Sequence, residues 1–255
     1  QLHINFRPQL RIADGSVDTL EALVRWNPPT YGMIPPPEFI GLAEQTDLIE
    51  PITELVLRAA TQGLMVGGLT ERLAVNVSAR SLERSDFAKR VFAILAESGF
   101  PPDQLELEVT ERALVRNAER TSYSLGQLRE AGVRVSIDDF GVGYSSYQTL
   151  RILDVDRVKI DRDFVTGILV SERDRIIVAS LIQLAHDLGL DVVAEGVEST
   201  HIWDALVELN CDVAQGYGIA TPMVYPEMRR WLKGWAQATD EPTPPDTDDF
   251  ATLSR

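Results

Sequence analysis

Short apolar runs alternate with longer amphipathic stretches along most of the chain. In DRIIVASLIQLAHDLG, the apolar residues Ile177, Leu181, Leu184 and Leu188 recur at helical spacing, which predicts a helix with one apolar face. The short runs between such stretches have the composition of strands. Regular alternation of helix and strand predicts parallel strands joined by crossover helices, in an α/β sheet or a barrel.

Several helical stretches end at a residue that tolerates a left-handed backbone. These residues are Gly99, Gly132, Gly189 and Asn210, and a short strand-like run follows each of them. Glycine and asparagine are favoured where a helix stops, because they adopt positive φ at low cost. The chain therefore contains a repeated unit in which a helix ends and a strand begins.

Eight runs are candidates for strands, which is the number in a TIM-type barrel. In chain order they are INFRPQ, LEALVR, LAVNV, LELE, RVSID, RVKI, DVVA and VAQG. The stretch RIADGS between the first two is too short for a crossover helix and predicts a hairpin, so this pair should be antiparallel. We expect an α/β fold, a modified TIM (β/α)8 barrel with an antiparallel first strand.

Composition and charge narrow the class of ligand. The chain has 255 residues with 44% hydrophobic and 25% charged residues, and its formal net charge is -15. Such a surface repels duplex nucleic acid and an anionic membrane, so a phosphorylated ligand would need a bound cation. Cys211 is the single cysteine, which excludes an intrachain disulfide and a thiolate metal site and suits a reducing compartment.

The two ends of the chain differ from its middle. The first residue is Gln1, so we expect a piece of a longer protein. We predict one domain over residues 1–236 and an acidic, Pro- and Thr-rich tail over 237–255 that is disordered. No run has the ~20 apolar residues of a membrane span. We expect a cytoplasmic domain without direct membrane contact, and the sequence leaves open whether the parent protein is membrane-anchored.

Polar residues fall on one face of the candidate strands, near their C-terminal ends. In RVSID, Ser136 and Asp138 alternate with Val135 and Ile137. If the apolar face packs against helices, the polar face points to the barrel axis, at the end where barrel active sites form. The converging set is Glu21, Asn76, Glu108, Asp138, Asp139, Lys159, Glu195 and Gln215.

Five carboxylates in one small volume require a compensating cation. Asp, Glu and Asn oxygens are ligands for Mg²⁺ or Mn²⁺. Zinc is disfavoured, because His3, His186 and His201 lie at the N-terminus or on predicted helices. Two cations sharing one carboxylate would suit a phosphoryl displacement, since they contact the attacking and the leaving oxygen.

The residues alone leave several alternatives open. Lys159 is either an ion-pair partner of Asp138 or Glu195, or the Schiff-base lysine of an aldolase-like barrel. The many acids favour the ion pair, because nearby anions keep a lysine protonated. Glu111 is either an acid at a helix start or a support for the loop after the paired aspartates, which reads GVGYSS.

Seven linked motifs resemble one known family. They are EALVRW, VNVSAR, LELEVTER, SIDDFGVGYSS, VKIDRDFV, VVAEGVES and QGYGIATP, and they follow the order and spacing of the EAL domain over about residues 1–236. This bacterial family hydrolyses cyclic di-GMP. The resemblance implies a TIM barrel with a reversed first strand and cleavage of one phosphodiester bond to give linear pGpG. It also implies a homodimer and, in the parent chain, sensory or GGDEF domains.

The resemblance also implies a role for each matching residue. Two ions, Mg²⁺ or Mn²⁺, would be held by Glu21, Asn76, Glu108, Asp138 and Asp139, with both aspartates serving the second ion. The implied catalytic residues are Lys159, which contacts the attacking water, Glu195, the proposed general base, and Asp139. Substrate-binding residues would be Arg25, Gln215, Asp161 and Arg7, while Glu111 would brace the loop after the aspartates.

Two positions depart from the family pattern. Arg7 stands where the family usually has Gln before Pro, which bears on substrate affinity more than on catalysis, and Val142 replaces a small residue or Thr. Two alternatives from other functional classes remain. One is an EAL module that binds cyclic di-GMP as a receptor without cutting it, and the other is a structural signalling module that binds neither metal nor nucleotide.

Overall fold

All eight predicted strands are present in this computed structural model, which describes residues 1–116, 118–141 and 154–239. The strands are β1 (Leu2–Arg11), β2 (Val17–Trp26), β3 (Arg72–Val77), β4 (Leu105–Thr110), β5 (Arg134–Phe140), β6 (Arg157–Ile160), β7 (Asp191–Glu195) and β8 (Val213–Gln215). A short ninth strand, β9 (Met223–Val224), follows them and was not predicted.

Strand pairing closes a barrel around the first eight strands. Neighbours from β2 to β8 are parallel in sequence order, and β1 pairs antiparallel with both β2 and β8. The predicted reversal of the first strand is therefore confirmed. The two-residue β9 pairs with Asn5 and Phe6 of β1, also antiparallel.

Helices fill the connections between the parallel strands, and a last helix follows β9. They are α1 (Pro36–Glu44), α2 (Ile49–Gly67), α3 (Ala79–Leu82), α4 (Phe87–Ser98), α5 (Glu111–Arg116), α6 (Ala118–Glu130), α7 (Arg162–Gly167), α8 (Glu172–Asp187), α9 (Thr200–Glu208) and α10 (Tyr225–Thr239). A 3₁₀ helix covers Pro102–Gln104. No helix within the described ranges is long and apolar enough to cross a bilayer.

Left-handed residues end several of these helices as predicted. Gly99 has a φ of 71° and caps α4, where its N–H donates to the Leu95 carbonyl. Gly132, Gly189 and Asn210 also have positive φ. Asn210 is the one non-glycine residue of this set, and asparagine tolerates that region better than other side chains. Each of these turns leads from the end of a helix towards the next strand.

Alternation along the strands separates an apolar layer from a polar interior. Val135 and Ile137 of β5 are fully buried in the apolar core between sheet and helices. Ser136, between them, is also fully buried but on the opposite face. The predicted division of the two faces is confirmed, and it leaves the barrel interior lined with polar groups.

Two predictions lie outside the described residues. The loop positions from Val142 onward belong to the range 142–153, and most of the predicted tail belongs to 240–255. The disordered tail and the role of Val142 therefore stay predictions.

Candidate active site

The ammonium group of Lys159 is the centre of the polar cluster at the C-terminal mouth of the barrel. It is 1% exposed and lies among four carboxylates. The distances from Nζ are 2.7 Å to Glu195 Oε1, 3.0 Å to Glu108 Oε1, 3.1 Å to Asp138 Oδ1 and 3.9 Å to Glu21 Oε1. Four carboxylates against one ammonium leave this site with an excess of negative charge.

Two amide side chains fix the carboxylates on the β2 and β4 side of the mouth. Asn76 Nδ2 donates to Glu21 Oε1 and to Glu108 Oε2, each at 3.0 Å. Gln215 Nε2 donates to Glu21 Oε2 at 2.9 Å. Because β2, β3, β4 and β8 are held in register by the barrel, these four predicted residues form one hydrogen-bonded group.

The paired aspartates take different positions because the end of β5 is irregular. The register between β5 and β6 shifts between Ile137 and Phe140. Asp139 has a φ of 54°, in the region that non-glycine residues rarely adopt. Irregularities of this kind redirect side chains near functional sites. Asp138 points to Lys159, while Asp139 is exposed beside it and lies close to Asp161.

Glu195 is placed by the close packing of the ends of β7 and β8. It pairs in register with Gln215, and the Val197 N–H donates to the Gln215 carbonyl at 3.0 Å. A Cβ at Gly216 would collide with the backbone of Val197, so only glycine permits this approach. The turn therefore holds Glu195 next to Lys159.

Crowding moves the pKa values of the buried carboxylates in opposite directions. Burial, together with repulsion from Glu21 and Asp138, raises the pKa of Glu108 well above its usual range despite the attraction of Lys159. Burial also acts to raise the pKa of Glu21, but Lys159, Arg7 and the Gln215 hydrogen bond bring it below its usual value. Of the neighbouring Glu21 and Glu108, Glu108 is therefore the one predisposed to hold a proton when no added cation is bound.

The pKa values of Glu195 and Asp139 are raised, like that of Glu108. Burial, followed by repulsion from Asp138 and Glu21, raises the pKa of Glu195 to about 7. Burial and the charges of Asp138 and Asp161 raise the pKa of Asp139. For Lys159, burial acts to lower the pKa, but the surrounding carboxylates raise it well above the usual value. The lysine is thus a permanent cation here, which disfavours the Schiff-base alternative.

Two arginines lie on the side of the mouth formed by β1 and β2. The guanidinium carbon of Arg7 lies 5.1 Å from the centroid of the Tyr217 ring. Arg25 lies near Glu21, Arg7 and Tyr217, and its Nη1 donates to the Val24 carbonyl at 3.0 Å. Tyr217 is 60% exposed. This group offers cationic and aromatic surface next to the carboxylates.

The remaining predicted residues lie close to the site. Asp161 begins α7, where its Oδ1 accepts a hydrogen bond from the Asp163 N–H at 2.8 Å. Glu111 begins α5 directly after β4 and is buried. The loop that Glu111 was predicted to brace falls in the range 142–153, so its supporting role stays a prediction.

Sequence reasoning missed three residues. Tyr217 lies in the loop after β8, inside the motif QGYGIATP, but neither strand alternation nor the resemblance gave it a role. Arg157 has the same strand parity as Lys159, and Gln9 the same parity as Arg7, so the alternation rule was sufficient to place both inside the barrel. Neither residue lies at the C-terminal ends of the parallel strands, where barrel active sites form.

The chemistry of the cluster fits divalent cations. Carboxylate oxygens and the Asn76 amide oxygen are donors that Mg²⁺ and Mn²⁺ accept. Gln215 Oε1 is buried and accepts no hydrogen bond from the described residues, and Asp138 Oδ1 is buried next to the Lys159 ammonium at 3.1 Å. No three acidic, His or Cys side chains of those residues form a ready-made cation site, and Lys159 lies between the carboxylates. A cation therefore requires small movements of these side chains.

Comparisons with known proteins agree with this geometry. A model of the EAL domain matches residues 1–222. Cyclic di-GMP phosphodiesterase NbdA of Pseudomonas aeruginosa is 42% identical over 239 residues, which cover 92% of this chain and 30% of the relative. The chain thus spans about a third of the length of that curated relative.

Solved structures show the same fold. The PaMucR phosphodiesterase, in complex with c-di-GMP, is 36% identical with a TM-score of 0.85, and the match covers 89% of this chain and 94% of the other. Klebsiella pneumoniae BlrP1, in a complex with calcium and cyclic di-GMP, is 30% identical with a TM-score of 0.78, and the match covers 88% of this chain and 56% of the other. The chain belongs to the EAL domain family, which includes cyclic di-GMP phosphodiesterases.

Proposed function

We propose that this chain hydrolyses cyclic di-GMP to linear pGpG with the help of two divalent cations, Mg²⁺ or Mn²⁺. The observation that carries the proposal is the group of four carboxylates around Lys159 at the mouth of an EAL barrel. So much buried negative charge is costly unless cations compensate it, and a cyclic dinucleotide brings phosphates that need the same cations.

Cation ligands are available from four neighbouring strands, β2 to β5. Glu21, Asn76, Glu108 and Asp138 would hold the first ion, and Asp138 together with Asp139 would hold the second. Bound cations would neutralise the phosphate and make water more acidic. The family is metal-dependent, and the calcium and cyclic di-GMP complex of the BlrP1 relative supports cation binding together with the nucleotide.

Lys159 and Glu195 are the residues best placed to act on the attacking water. Lys159 donates hydrogen bonds and keeps its charge, so it can orient a water oxygen. Glu195, with its pKa raised to about 7, can accept a proton at neutral pH more readily than an ordinary carboxylate. Their 2.7 Å contact holds the two groups side by side.

Arg25 and Arg7 would contact the dinucleotide. Both side chains are cationic, and both lie close to Glu21 at the edge of the mouth. A guanidinium matches the oxygens of a phosphate, and the Arg7–Tyr217 contact also provides a face on which a base can stack. Gln215, which holds Glu21, and Asp161, which lies near Asp139, complete the proposed substrate side.

The wider organisation belongs to the same proposal. We retain a domain over 1–236, a homodimer, and sensory or GGDEF domains in the parent chain. The sensory or GGDEF domains are supported by the NbdA relative, since the match to this chain covers 30% of its length. We also retain a cytoplasmic location for the domain, which its single, buried cysteine suits.

The test compares turnover of cyclic di-GMP by the unaltered chain, by Glu21→Ala and by Glu38→Ala. Glu38 is an exposed acid on α1 and serves as the matched control. With Mn²⁺ present, the unaltered chain and the control should form pGpG at equal rates. The Glu21 variant should lose more than about a hundredfold in rate, since altering even the groups around metal ligands costs ten- to a hundredfold.

Other outcomes separate the alternatives. Unchanged turnover by Glu21→Ala would remove this residue from the site. Tight binding of cyclic di-GMP to the unaltered chain without product would instead identify a receptor. Absence of both binding and product would favour a structural module.

A further inference from the structure

Gln9 connects two polar groups of the barrel interior, the carboxylates around Lys159 and the acids around Arg157. It lies on β1, is fully buried, and places its side-chain amide between Glu108 and Arg157. Gln9 Nε2 donates to Glu108 Oε1 at 3.3 Å, and Arg157 Nη1 donates to Gln9 Oε1 at 3.5 Å. No motif or strand-end position drew attention to this residue.

The orientation of the Gln9 amide follows from the chemistry of its two neighbours. A guanidinium has donors only, so it requires the amide oxygen to face Arg157. Glu108 Oε1 also faces the Lys159 ammonium, which has donors only, so this oxygen is an acceptor and the NH₂ group must face it. Turning the amide over would set donor against donor and acceptor against acceptor. The two neighbours therefore allow one orientation.

Arg157 is itself held firmly. It is fully buried, and its guanidinium contacts Asp18 Oδ2 at 2.8 Å, Glu106 Oε2 at 3.4 Å and Asp191 Oδ2 at 3.4 Å. These acids come from three different strands, so the guanidinium is fixed to the barrel wall. Gln9 is anchored at its oxygen end and offers its amide hydrogens to Glu108.

We propose that Gln9 is a positioning residue, which holds the Glu108 carboxylate in the orientation needed for divalent-cation binding and turnover. This inference rests on the proposed function. Glu108 Oε2 is held by Asn76, and Oε1 is shared by Lys159 and Gln9. Without Gln9, the polar contacts that the described residues leave to this carboxylate come from Asn76 and Lys159 at the mouth, which must themselves move when a cation binds. Gln9 is the contact that stays in place.

The test uses Gln9→Met, which fills a similar volume without donor or acceptor, and Ser136→Ala as its matched control. The Ser136 hydroxyl is buried in the same interior, next to Glu108 in register, and has no hydrogen-bond partner among the described residues. Mn²⁺ affinity is measured by calorimetry, and kcat and KM are measured with cyclic di-GMP. Gln9→Met should bind Mn²⁺ about ten- to a hundredfold more weakly, with kcat falling and KM for the dinucleotide changing less. Ser136→Ala should match the unaltered chain.

A second variant covers the possibility that Gln9→Met does not fold. Gln9→Glu sets a carboxyl group against both Arg157 and Glu108, so a salt bridge to Arg157 supports folding, while the lost amide donor and the repulsion from Glu108 should lower kcat at least about tenfold. A folded Gln9 variant with unaltered Mn²⁺ affinity and kcat would overturn the inference and leave the proposed function intact. An unaltered chain that neither binds Mn²⁺ nor forms pGpG would overturn both.

Discussion

Lys159 Nζ lies 2.7 Å from Glu195 Oε1, and the two residues occupy neighbouring parallel strands at the mouth of the barrel. Lys159 does not pair with Glu195 alone, since the same ammonium also contacts Glu108 and Asp138. One lysine therefore compensates a group of acids that divalent cations would compensate in the active protein. Direct tests can show whether Lys159 and added cations compensate the same acids.

Removal of the lysine charge should destabilise the cation-free protein. Lys159→Met leaves buried carboxylates without their cation, and we expect a loss of about 3–5 kcal/mol in the free energy of unfolding. Mn²⁺ should restore part of the lost free energy of unfolding, because the ion binds the folded state. Urea unfolding in chelator and in Mn²⁺ measures both effects. The control is Lys89→Met on the exposed face of α4, expected within about 0.5 kcal/mol of the unaltered chain. Equal stability of both variants in chelator would contradict this account.

Arg7 and Tyr217 should act together on substrate affinity. The guanidinium lies over the ring, so removing either group exposes or releases the other. We expect Arg7→Ala and Tyr217→Ala each to raise KM for cyclic di-GMP about fivefold, which corresponds to ~1 kcal/mol, with little change in kcat. The KM of the double variant should rise no more than about tenfold, because the two residues form one contact. The exposed Arg173→Ala serves as control. Fully multiplicative effects would show that the two side chains act separately.

The Asp18–Arg157 ion pair should make stability depend on pH in the acid range. Burial acts to raise the pKa of Asp18, but the charge and hydrogen bond of Arg157 lower it below the unfolded value of 3.8. A lowered pKa means that the stabilisation is present above pH 3.8 and is lost as pH falls towards the lower, folded-state pKa. Asp18→Asn should cost about 3 kcal/mol at pH 7 and flatten the decline below pH 4.

Chemical unfolding at a series of pH values measures this effect, with the exposed Asp204→Asn as control. The control should follow the unaltered chain at every pH. An Asp18→Asn variant that loses stability on acidification as steeply as the unaltered chain would assign the acid sensitivity to other carboxylates.

Cys211 should be unreactive in the folded protein. It is 4% exposed, and burial raises the pKa of its thiol to about 12. Because the thiolate is the nucleophile, alkylation needs both deprotonation and access. At pH 8, iodoacetamide should leave the native chain unlabelled and should label it fully in urea, as measured by mass spectrometry. Rapid labelling of the native chain would show that the turn before β8 opens easily.

Much of this fold was accessible from local patterns. The eight strands, the reversed β1 and the left-handed residues that end the helices follow from alternation, turn residues and chain length. The convergence of Glu21, Glu108, Asp138, Lys159 and Glu195 followed from parity alone, because a barrel brings equivalent strand ends together. The four acids of this set lie around the ammonium group of the fifth residue, Lys159.

Other features depend on contacts that no local pattern contains. The positive φ of Asp139 results from the fit between the end of β5 and β6, and it decides that the paired aspartates point differently. The contact of Gln9 with Glu108 joins residues 99 positions apart across the barrel interior. Side-chain alternation places both residues inside the barrel, but their height and distance depend on the closed barrel as a whole.

The most direct test of the central claim is a titration of chelator-treated protein with Mn²⁺. Bound Mn²⁺ is counted by electron paramagnetic resonance, and the rate of pGpG formation from cyclic di-GMP is measured in the same samples. The account predicts no turnover before Mn²⁺ is added and a rate that rises with occupancy until about two ions are bound per chain. Turnover that is equally fast in chelator, or bound Mn²⁺ without any product, would contradict it.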